Sequence, residues 1–359
     1  MTPELGIGLV GYGAIGRLHA LCYQMLPLAY PDLPLRARVT AVATASEASA
    51  ERARRELGVF ATTDVGALLA RPEVQAVDCC APTGEHGRVA LAALAAGKAL
   101  FCEKPLGATP EESEAIVAAA REGGLVGGVN FHFRQIPALQ EARRLVEGGL
   151  LGEVRGFHLR YYRSSNLRGD RPLTWRFAGP GSGVLADLGS HMVDLVLHLL
   201  GPVAKASGRT LTAVPERRGP DGRMQPVEGD DAAWLELELV DGGRGTVHVS
   251  KLVPGAGDDI RVEAYGSRGA LVFDTADPSG LHVVEGAEGA GRRLATLSRT
   301  RPAASLPSPE TATGNLQWHL ASAAAFVAAY ARGEEMRPSL ADGLAVDRVI
   351  AEALRRRGG

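Results

Sequence analysis

Short apolar runs alternate with helical stretches along the first 129 residues. The apolar runs are LGIGLV, RVTAVA, VQAVDCC, KALF and LVGGV, and the helical stretches cover 14–29, 47–57, 85–96 and 110–122. Strands that are buried on both faces appear as continuous apolar runs, and a helix between consecutive strands is typical of a doubly wound parallel sheet. The pattern predicts an α/β domain over residues 1–128.

The pattern changes after Pro137. One more helix is predicted at 138–147, and then VRGFHLRYYR and AAWLELELV alternate apolar and polar positions, as strands with one covered face do. AAWLELELV continues through Asp241-Gly242-Gly243 into GTVHVSKL, which predicts a hairpin. Further helices are predicted at 183–200, 315–331 and 340–356, and surface loops at 214–229 and 286–312.

These elements predict a second domain over residues 129–359. It is expected to be an α+β domain with a large open, mostly antiparallel sheet, and helix 340–356 is a candidate to pack back on the first domain.

Composition narrows the class of protein. The chain has 359 residues, 45% of them hydrophobic, and a formal net charge of -2. A large core is therefore expected, and the charge gives no footprint for nucleic acid or a membrane surface. Adjacent Cys79 and Cys80 and the separate Cys102 lie in apolar runs, as reduced thiols do, and no leader or membrane-spanning run is recognised. We expect a cytoplasmic protein with a small-molecule partner.

A glycine motif follows the first apolar run. Gly11, Gly13 and Gly16 have the G-x-G-x-x-G spacing, which a chain with 45 glycines can produce by chance. Its position between a strand and a helix is what gives it weight. Gly11 would form the tight turn, Gly13 would admit a pyrophosphate close to the backbone of Ala14 and Ile15, and Gly16 would let helix and strand pack. The motif predicts a dinucleotide-binding Rossmann domain.

The end of the second strand leaves the choice of dinucleotide open. An acid there would bind the ribose 2′-hydroxyl of NAD, but the sequence offers Thr44, Ala45 and Ser46. A 2′-phosphate would not be repelled, and Ser46, Arg52 and Arg54 are candidate contacts for it. The end of the second strand therefore allows either NAD or NADP as the cofactor.

Glu103-Lys104-Pro105 follows the apolar run KALFC. Ligands of open α/β sheets bind at the carboxyl ends of the strands. The position matters because lysine is rare in this chain, which has only Lys98, Lys104, Lys205 and Lys251 among 39 basic residues. Lys104 is therefore a candidate functional residue.

LADLGSHMVDL places Asp187, His191 and Asp194 at spacings that share one helical face. Such a set could bind a metal, move a proton or cap a buried histidine. Two carboxylates with one imidazole are a poor zinc set, so no metal is predicted. An imidazole titrates close to neutral pH, which makes His191 the better proton acceptor, and Asp194 is left without a role.

Together these motifs resemble the glucose-fructose oxidoreductase and inositol dehydrogenase (Gfo/Idh/MocA) family. The resemblance rests on GLVGYGAIGRLHA, CAPTGEHGRVALAALAAGKALFCEKP, NFHFRQIPAL, LTWRF, GSGVLADLGSHMVDL and RPSLADGLAVDRVIAEAL. It implies an amino-terminal Rossmann domain and a carboxyl-terminal domain whose open sheet forms the interface of a dimer or tetramer. It also implies that Lys104 lies beside the nicotinamide, that His191 is the acid/base and that Asp187 assists it.

The resemblance implies further contacts. Pro82, Thr83 and His86 stand where the family has a cofactor-side loop, with Thr83 in place of an asparagine, and Glu103 joins Lys104 on the cofactor side. His132 and Arg134 fall in NFHFR, where GFNYR is common, so the local substrate contacts differ. Trp175, Arg176 and His319 complete the implied substrate set, together with Asp187 and His191.

The expected activity is hydride transfer between NAD(P) and a secondary hydroxyl or ketone of a sugar, cyclitol or glycoside. Two alternatives are a non-catalytic dinucleotide-binding regulator and a reductase of an imine or diene substrate. The joint presence of Lys104, Asp187 and His191 argues against the regulator, which would have no use for them.

Overall fold

Six parallel strands form the sheet of the first unit. The structure, a computed structural model, describes residues 3–286, 288–296 and 314–355. The strands are β1 (Glu4–Val10), β2 (Arg36–Ala43), β3 (Phe60–Thr62), β4 (Ala76–Cys79), β5 (Ala99–Cys102) and β6 (Gly127–Val129), in the order β3-β2-β1-β4-β5-β6. Their continuous apolar character matches their burial, since every residue of β4 and β5 is buried. This confirms the predicted doubly wound α/β sheet; only the short β3 was not predicted.

Helices connect these strands, and local caps define where they begin. They are α1 (Ala14–Ala29), α2 (Glu47–Leu57), α3 (Val65–Leu69), α4 (His86–Ala95) and α5 (Pro110–Glu122). Ser46 caps α2 and Thr109 caps α5 through their side-chain oxygens, as short polar residues at N-caps commonly do. α1 has no side-chain cap, because Gly13 stands at its N-cap position.

The second unit is built on an eight-stranded sheet. Helix α6 (Pro137–Glu147) precedes it, and α7 (Ser190–Leu200) falls between its strands. The strands are β7 (Val154–Tyr162), β8 (Val203–Leu211), β11 (Ala232–Leu239), β12 (Arg244–Ser250), β13 (Asp259–Gly266), β14 (Gly269–Asp274), β15 (Gly280–Glu285) and β16 (Arg292–Ala295), while β9 (Glu216–Arg218) and β10 (Met224–Pro226) form a separate ribbon.

The order of this sheet is β16-β15-β14-β13-β7-β12-β11-β8, and every pair is antiparallel except β12 with β7. The predicted hairpin is present as β11–β12, with Gly242 at φ +89° in its turn. β11 alternates buried and outward positions, as its sequence pattern predicted. The mostly antiparallel sheet is confirmed.

Two predicted loops need correction. Residues 214–229 contain the β9–β10 ribbon, and Arg217 within it is completely buried. Residues 292–295 of the other predicted loop form the edge strand β16, whereas residues 297–312 lie outside the described part of the chain. The three strands β9, β10 and β16 are short and mostly polar, so hydrophobic alternation could not reveal them.

The chain divides into two compact units. Of the described residues, 3–135 and 314–344 form the first, and 136–286, 288–296 and 345–355 form the second. The break after Gln135 lies close to the predicted boundary at 128/129. The predicted second domain, however, included α8 (Asn315–Arg332), which packs on α1 within the first unit through Leu320, Phe326 and Val327.

Helix α9 (Leu340–Arg355) completes the described fold, and the division between the units falls within it. Among the described residues, no helix is long and apolar enough to cross a membrane.

Candidate active site

The glycine turn leaves open space at the start of α1. Gly11 has φ +96°, and a Cβ there would lie 2.5 Å from the Cys80 carbonyl oxygen. A Cβ on Gly16 would lie 2.0 Å from the Gly11 oxygen, so helix and turn could not pack as they do. A Cβ on Gly13 would meet no atom within 4 Å, although Ala14 and Ile15 follow it directly. The start of α1 thus has no side-chain cap and no atom close to Gly13, which is compatible with a pyrophosphate at this helix start.

The end of β2 is occupied by hydroxyl groups. Thr44 Oγ1 donates to Ser49 Oγ at 3.1 Å, and Ser46 accepts the Ser49 N–H at 3.3 Å. Arg54 forms ion pairs with Glu47 and Glu51 on its own helix. Arg54 is therefore a poor candidate for a 2′-phosphate, while the hydroxyl-lined end of β2 suits either ribose.

His86 braces the loops that follow β4 and β5. Its Nδ1 lies 2.8 Å from the Pro105 carbonyl oxygen, and its Nε2 lies 3.0 Å from the Ala81 carbonyl oxygen. Pro82 and the buried Thr83 begin the short 3-10 turn beside it. Because both ring nitrogens bind the backbone, the geometry favours a role for His86 in holding the loops over a direct cofactor contact.

Glu103 belongs to a buried hydrogen-bonded cluster at the carboxyl ends of β4, β5 and β6. This Glu103 network consists of His19, Asp78, Glu103, Asn130 and His319, all under 8% exposed. His19 contacts Asp78 Oδ2 at 2.8 Å through Nδ1 and Glu103 Oε1 at 3.2 Å through Nε2. Asn130 Nδ2 donates to Glu103 Oε1 at 2.6 Å and to His319 Nδ1 at 2.9 Å.

One histidine lies between two carboxylates in this network. Burial alone would lower the pKa of His19, but Asp78 and Cys80 beside it raise that pKa well above its usual value. Burial would raise the pKa of Glu103, but the hydrogen bond and charge of His19 hold that pKa below its usual range. His19 is therefore an imidazolium between two carboxylates, which keeps Glu103 ionised next to Lys104.

His319 differs from His19 in its protonation. Burial, then the charge of His19, lowers the pKa of His319 to about 3, so its ring is neutral. Its Nδ1 accepts the Asn130 amide, which leaves the proton on Nε2. Among the residues that the structure describes, this buried Nε2 has no hydrogen-bond partner. The His319 Nε2–H group could therefore donate a hydrogen bond to an oxygen of a bound ligand.

His19, Glu103 and His319 also have the donor types of a metal site. The Asn130 nitrogen, however, lies 3.1 Å from His19 Nε2, 2.6 Å from Glu103 Oε1 and 2.9 Å from His319 Nδ1. A protein amide thus fills the space between the three ligand atoms and donates hydrogen bonds to two of them, Glu103 Oε1 and His319 Nδ1.

Two other predicted residues of the first unit flank this network. The His132 ring stacks on His319 with centroids 3.9 Å apart. Arg134 is 9% exposed and pairs with Asp342 at 3.3 Å. The geometry gives Arg134 a structural partner, whereas His132 extends the histidine stack.

In the second unit, Asp187 lies on one π-helical turn, Leu185–Gly189, that leads into α7. Such turns frequently occur at functional sites. His191 in the first turn of α7 is 4% exposed, and Asp194 one turn later is 1% exposed. The structure thus places the predicted proton-handling residues at one helix start.

Lys251 forms an ion pair with Asp187. It directly follows β12 and is only 6% exposed. Sequence reasoning did not assign this contact, because 64 residues separate the two groups. The only signal available was the scarcity of lysine in the chain.

Asp230 secures the beginning of the π-helical turn. Its Oδ2 accepts the Leu185 N–H at 3.0 Å, and its carbonyl oxygen accepts the Val184 N–H at 3.0 Å. Burial raises the pKa of Asp230 to about 6, although the Leu185 N–H and the Lys251 charge oppose the rise.

The segment with Trp175 and Arg176 rests on a buried arginine. The Arg217 guanidinium lies 4.1 Å from the Phe177 ring centroid, and its Nη1 donates to the Arg168 carbonyl at 3.0 Å. Trp175 is 40% exposed, with the Arg176 guanidinium 4.2 Å from its ring centroid. An exposed aromatic ring on a braced loop suits recognition of a sugar face.

The predicted site residues thus divide between the units. The first unit holds the glycine turn, the ends of β2, β4 and β5, and the histidine stack; the second holds Trp175, Arg176, Asp187 and His191. The pairing of Lys104 with His191 stays a prediction.

Comparison with known proteins identifies the family. Residues 5–131 match an oxidoreductase family with an NAD-binding Rossmann fold, and residues 139–272 match the GFO/IDH/MocA C-terminal domain. Levoglucosan dehydrogenase of Pseudarthrobacter phenanthrenivorans is 32% identical over 366 residues, which cover 96% of this chain and 93% of that protein. The chain belongs to the GFO/IDH/MocA oxidoreductase family.

Solved structures of similar proteins share the whole fold. An oxidoreductase domain protein from Kribbella flavida has a TM-score of 0.90 at 35% identity, covering 97% of this chain and 96% of that one. Levoglucosan dehydrogenase in complex with NADH and levoglucosan has a TM-score of 0.89 at 30% identity, covering 98% and 97%. The comparisons confirm the predicted family, fold and class of activity: the chain is an NAD(P)-binding oxidoreductase.

Proposed function

We propose that this protein transfers a hydride between NAD(P) and a secondary hydroxyl or ketone of a sugar, cyclitol or glycoside. The observation that carries the proposal is Lys104 at the carboxyl edge of an NAD-binding sheet, directly after a glutamate that the Glu103 network keeps ionised. Levoglucosan dehydrogenase, which matches 96% of the chain, acts on levoglucosan by its name.

The proposed step removes two hydrogens from one carbinol. The oxidised cofactor, when bound, accepts the hydride from carbon. The hydroxyl proton passes to the neutral imidazole of His191, and the ammonium of Lys104 stabilises the alkoxide that develops on oxygen. Asp187 favours the imidazolium that results. In the reverse direction, His191 returns the proton to the ketone oxygen.

Cofactor and substrate contacts follow from the same assignment. Gly11, Gly13 and Gly16 with Ala14 and Ile15 would hold the pyrophosphate, and Thr44 and Ser46 the adenosine ribose. Pro82, Thr83 and Lys104 would line the nicotinamide side, with His86 and Glu103 holding that edge in place.

For the substrate, Trp175 would stack on the ring and Arg176 would bind hydroxyls. His132 would support His319, whose Nε2–H would donate to a substrate or cofactor oxygen. Arg134 lies close to His132 in the chain, and this position is the reason to propose that it contacts the substrate.

We also propose that the protein is a homo-oligomer joined through its open sheet. α6 and α7 pack against the sheet strands β14, β15 and β7. The outward side chains include Trp234 at 38% exposure and Tyr265 at 45%, which is unusual for large aromatic residues. The four cysteines are free, which supports the expected cytoplasmic location.

The test is an absorbance screen at 340 nm with NAD and NADP in parallel. The panel contains levoglucosan, inositols, free sugars and glycosides. We expect turnover of at least one polyol and a clear preference between the two cofactors. If none is oxidised while NADH binds, the hydroxyl-oxidation proposal is wrong, and imine or diene substrates are tested next.

A further inference from the structure

Lys251 is a buried cation at the proposed proton-handling site. Its ammonium pairs with the Asp187 carboxylate, and its side chain is 8% exposed. The backbone holds it from both sides, since Lys251 N–H donates to the Asp231 oxygen at 3.0 Å and the Lys251 oxygen accepts the Asn166 N–H at 2.9 Å. The backbone of Lys251 is therefore held by two separate segments of the second unit, and its ammonium contacts a third.

A lysine is costly to bury, so its placement needs a reason. Lys205, the other lysine of this unit, pairs with Glu238 on the surface and is 59% exposed. Lys251 instead forms its ion pair with Asp187, the carboxylate one helical turn before His191. The Lys251 ammonium, which is less exposed than the Asp187 carboxylate, offsets the charge of Asp187.

We propose that Lys251 is a positioning residue for proton transfer: it fixes the Asp187 carboxylate and offsets its charge, so that His191 stays neutral and ready to accept the substrate proton. The inference rests on the proposed function in that His191 is the proton acceptor. Without the ammonium, the full negative charge of Asp187 would act on the imidazole and favour its protonated form.

Other charged groups around this helix start do not replace Lys251. Asp194 lies on α7, Asp230 and Asp231 lie before β11, and Tyr161 of β7 binds Asp258, which also pairs with Arg163. The Asp194 carboxylate would act on His191 in the same direction as Asp187. Lys251 supplies positive charge directly to Asp187, so its removal changes the local balance by a whole charge.

The first experiment titrates His191 by NMR in the full chain without substrate. The imidazole signal is assigned by its loss in His191→Gln and followed in wild type, Lys251→Met and Lys251→Gln. Loss of the positive charge that pairs with Asp187 is expected to raise the titration midpoint of His191 by about 0.5 to 1 pH unit in both variants. Lys251→Arg is expected to restore the wild-type midpoint, and Lys205→Met is the matched control.

A double variant tests whether the effect passes through Asp187. Lys251→Met in an Asp187→Asn background is expected to shift the His191 midpoint by clearly less than in the wild-type background, because only the direct field of the ammonium on the imidazole remains. An equal shift in both backgrounds would contradict a role of Lys251 through Asp187. Unchanged midpoints in folded Lys251→Met and Lys251→Gln overturn the proposal.

A measurement on the wild type covers the case in which the neutral variants fail to fold. The chain has four lysines, so a spectrum with [ε-13C]lysine is simple to assign. The Lys251 signal is expected to keep its ammonium position from pH 5 to 9 and to show a small inflection at the His191 midpoint. A neutral Lys251 at pH 7, or no inflection, contradicts the proposal.

The kinetic counterpart is the acid limb of kcat/KM for alcohol oxidation. In Lys251→Met this limb is expected to move to higher pH by the same amount, with about a three- to tenfold loss at pH 6 and little loss at pH 9. A purely structural role would lower activity equally at all pH values. If no alcohol is oxidised but the NMR midpoint shifts, the proposed substrate class fails and the role of Lys251 stands.

Discussion

Glu103 in the first unit and Asp187 in the second are both carboxylates at a proposed site, but their surroundings differ. Glu103 is 7% exposed, and a histidinium and an amide hold it within a closed network. The Asp187 side chain is 27% exposed and forms an ion pair with the Lys251 ammonium. The first arrangement fixes charges permanently, whereas the second keeps a carboxylate beside a histidine that must change its protonation. This difference is consistent with the proposed roles of the two units: Glu103 helps to place the cofactor, and Asp187 assists proton transfer.

The largest expected effect is the loss of activity when a reacting group of either unit is removed. Lys104→Met and His191→Asn are each expected to lower kcat about 1000-fold, because one removes the stabilising cation and the other the proton acceptor. NADH affinity, followed by fluorescence titration, is expected to change little.

Lys98→Met, in the same unit, is the control for Lys104, and it should keep full activity. Lys104→Arg keeps the charge on a bulkier group that cannot release its proton, and it is expected to lose most activity as well. Near-normal turnover of that variant would show that position 104 needs only a positive charge.

The closed network predicts a large effect on stability in the first unit. His19→Leu leaves Asp78 and Glu103 buried without their shared cation, so the free energy of unfolding is expected to fall by about 3 to 5 kcal/mol. Urea unfolding is followed through Trp318 in a chain with Trp175→Phe and Trp234→Phe. Arg17→Ala removes an exposed ion pair from the same helix and should change the midpoint little. Equal losses of stability in the two variants would show that Asp78 and Glu103 do not depend on a shared charge on His19.

Asp230 predicts a pH-dependent stability of the second unit. Its pKa is raised from 3.8 to about 6 by burial, so the folded state holds a proton that the unfolded state releases at lower pH. This group therefore lowers stability as pH rises from about 4 to about 6. Asp230→Asn keeps the acceptor for the Leu185 N–H and is expected to gain about 1 to 3 kcal/mol above pH 6, with no gain below pH 4.

Thermal midpoints from pH 3.5 to 8 measure this difference, with Asp241→Asn in the exposed hairpin turn as control. A gain of Asp230→Asn that is the same at every pH would mean that burial does not hold this proton.

The smallest expected effect concerns substrate recognition. Trp175→Ala removes the exposed ring and is expected to raise KM for the best substrate of the screen about tenfold, with kcat nearly unchanged. Leu167→Ala, an exposed apolar residue of the same segment, is the control. A loss in kcat without a change in KM would place Trp175 in the chemistry instead of in binding.

Much of this fold could be predicted because its signals are local. β1, β4 and β5 are continuous apolar runs, and the β11–β12 turn contains Gly242. Helix α1 begins after Gly13, and α2 begins after Ser46 and ends before Gly58. The strands that were not predicted individually are β3, β8, β9, β10, β13, β14, β15 and β16; of these, β3, β9, β10 and β16 are only three or four residues long. α8 was assigned to the wrong unit because its apolar face does not indicate which surface covers it.

The candidate site shows the same limit. Its residue types and their positions at strand and helix ends could be read from Gly11–Gly16, Glu103-Lys104 and Asp187–His191, because each motif is short. The contacts that set the charges of these residues could not be read from the sequence. His19 and Glu103 are 84 residues apart, Asn130 and His319 are 189 apart, and Lys251 and Asp187 are 64 apart.

The sequence by itself determined the family, the two sheet types and the candidate chemical groups, since these depend on local patterns of apolarity, glycine and charge. Only the tertiary structure decided that His19 is charged and His319 neutral, that Arg134 has a structural partner, and that Asp187 is paired with Lys251. The physical reason is that protonation and ion pairing depend on burial and on distances of a few ångströms between groups far apart in the chain.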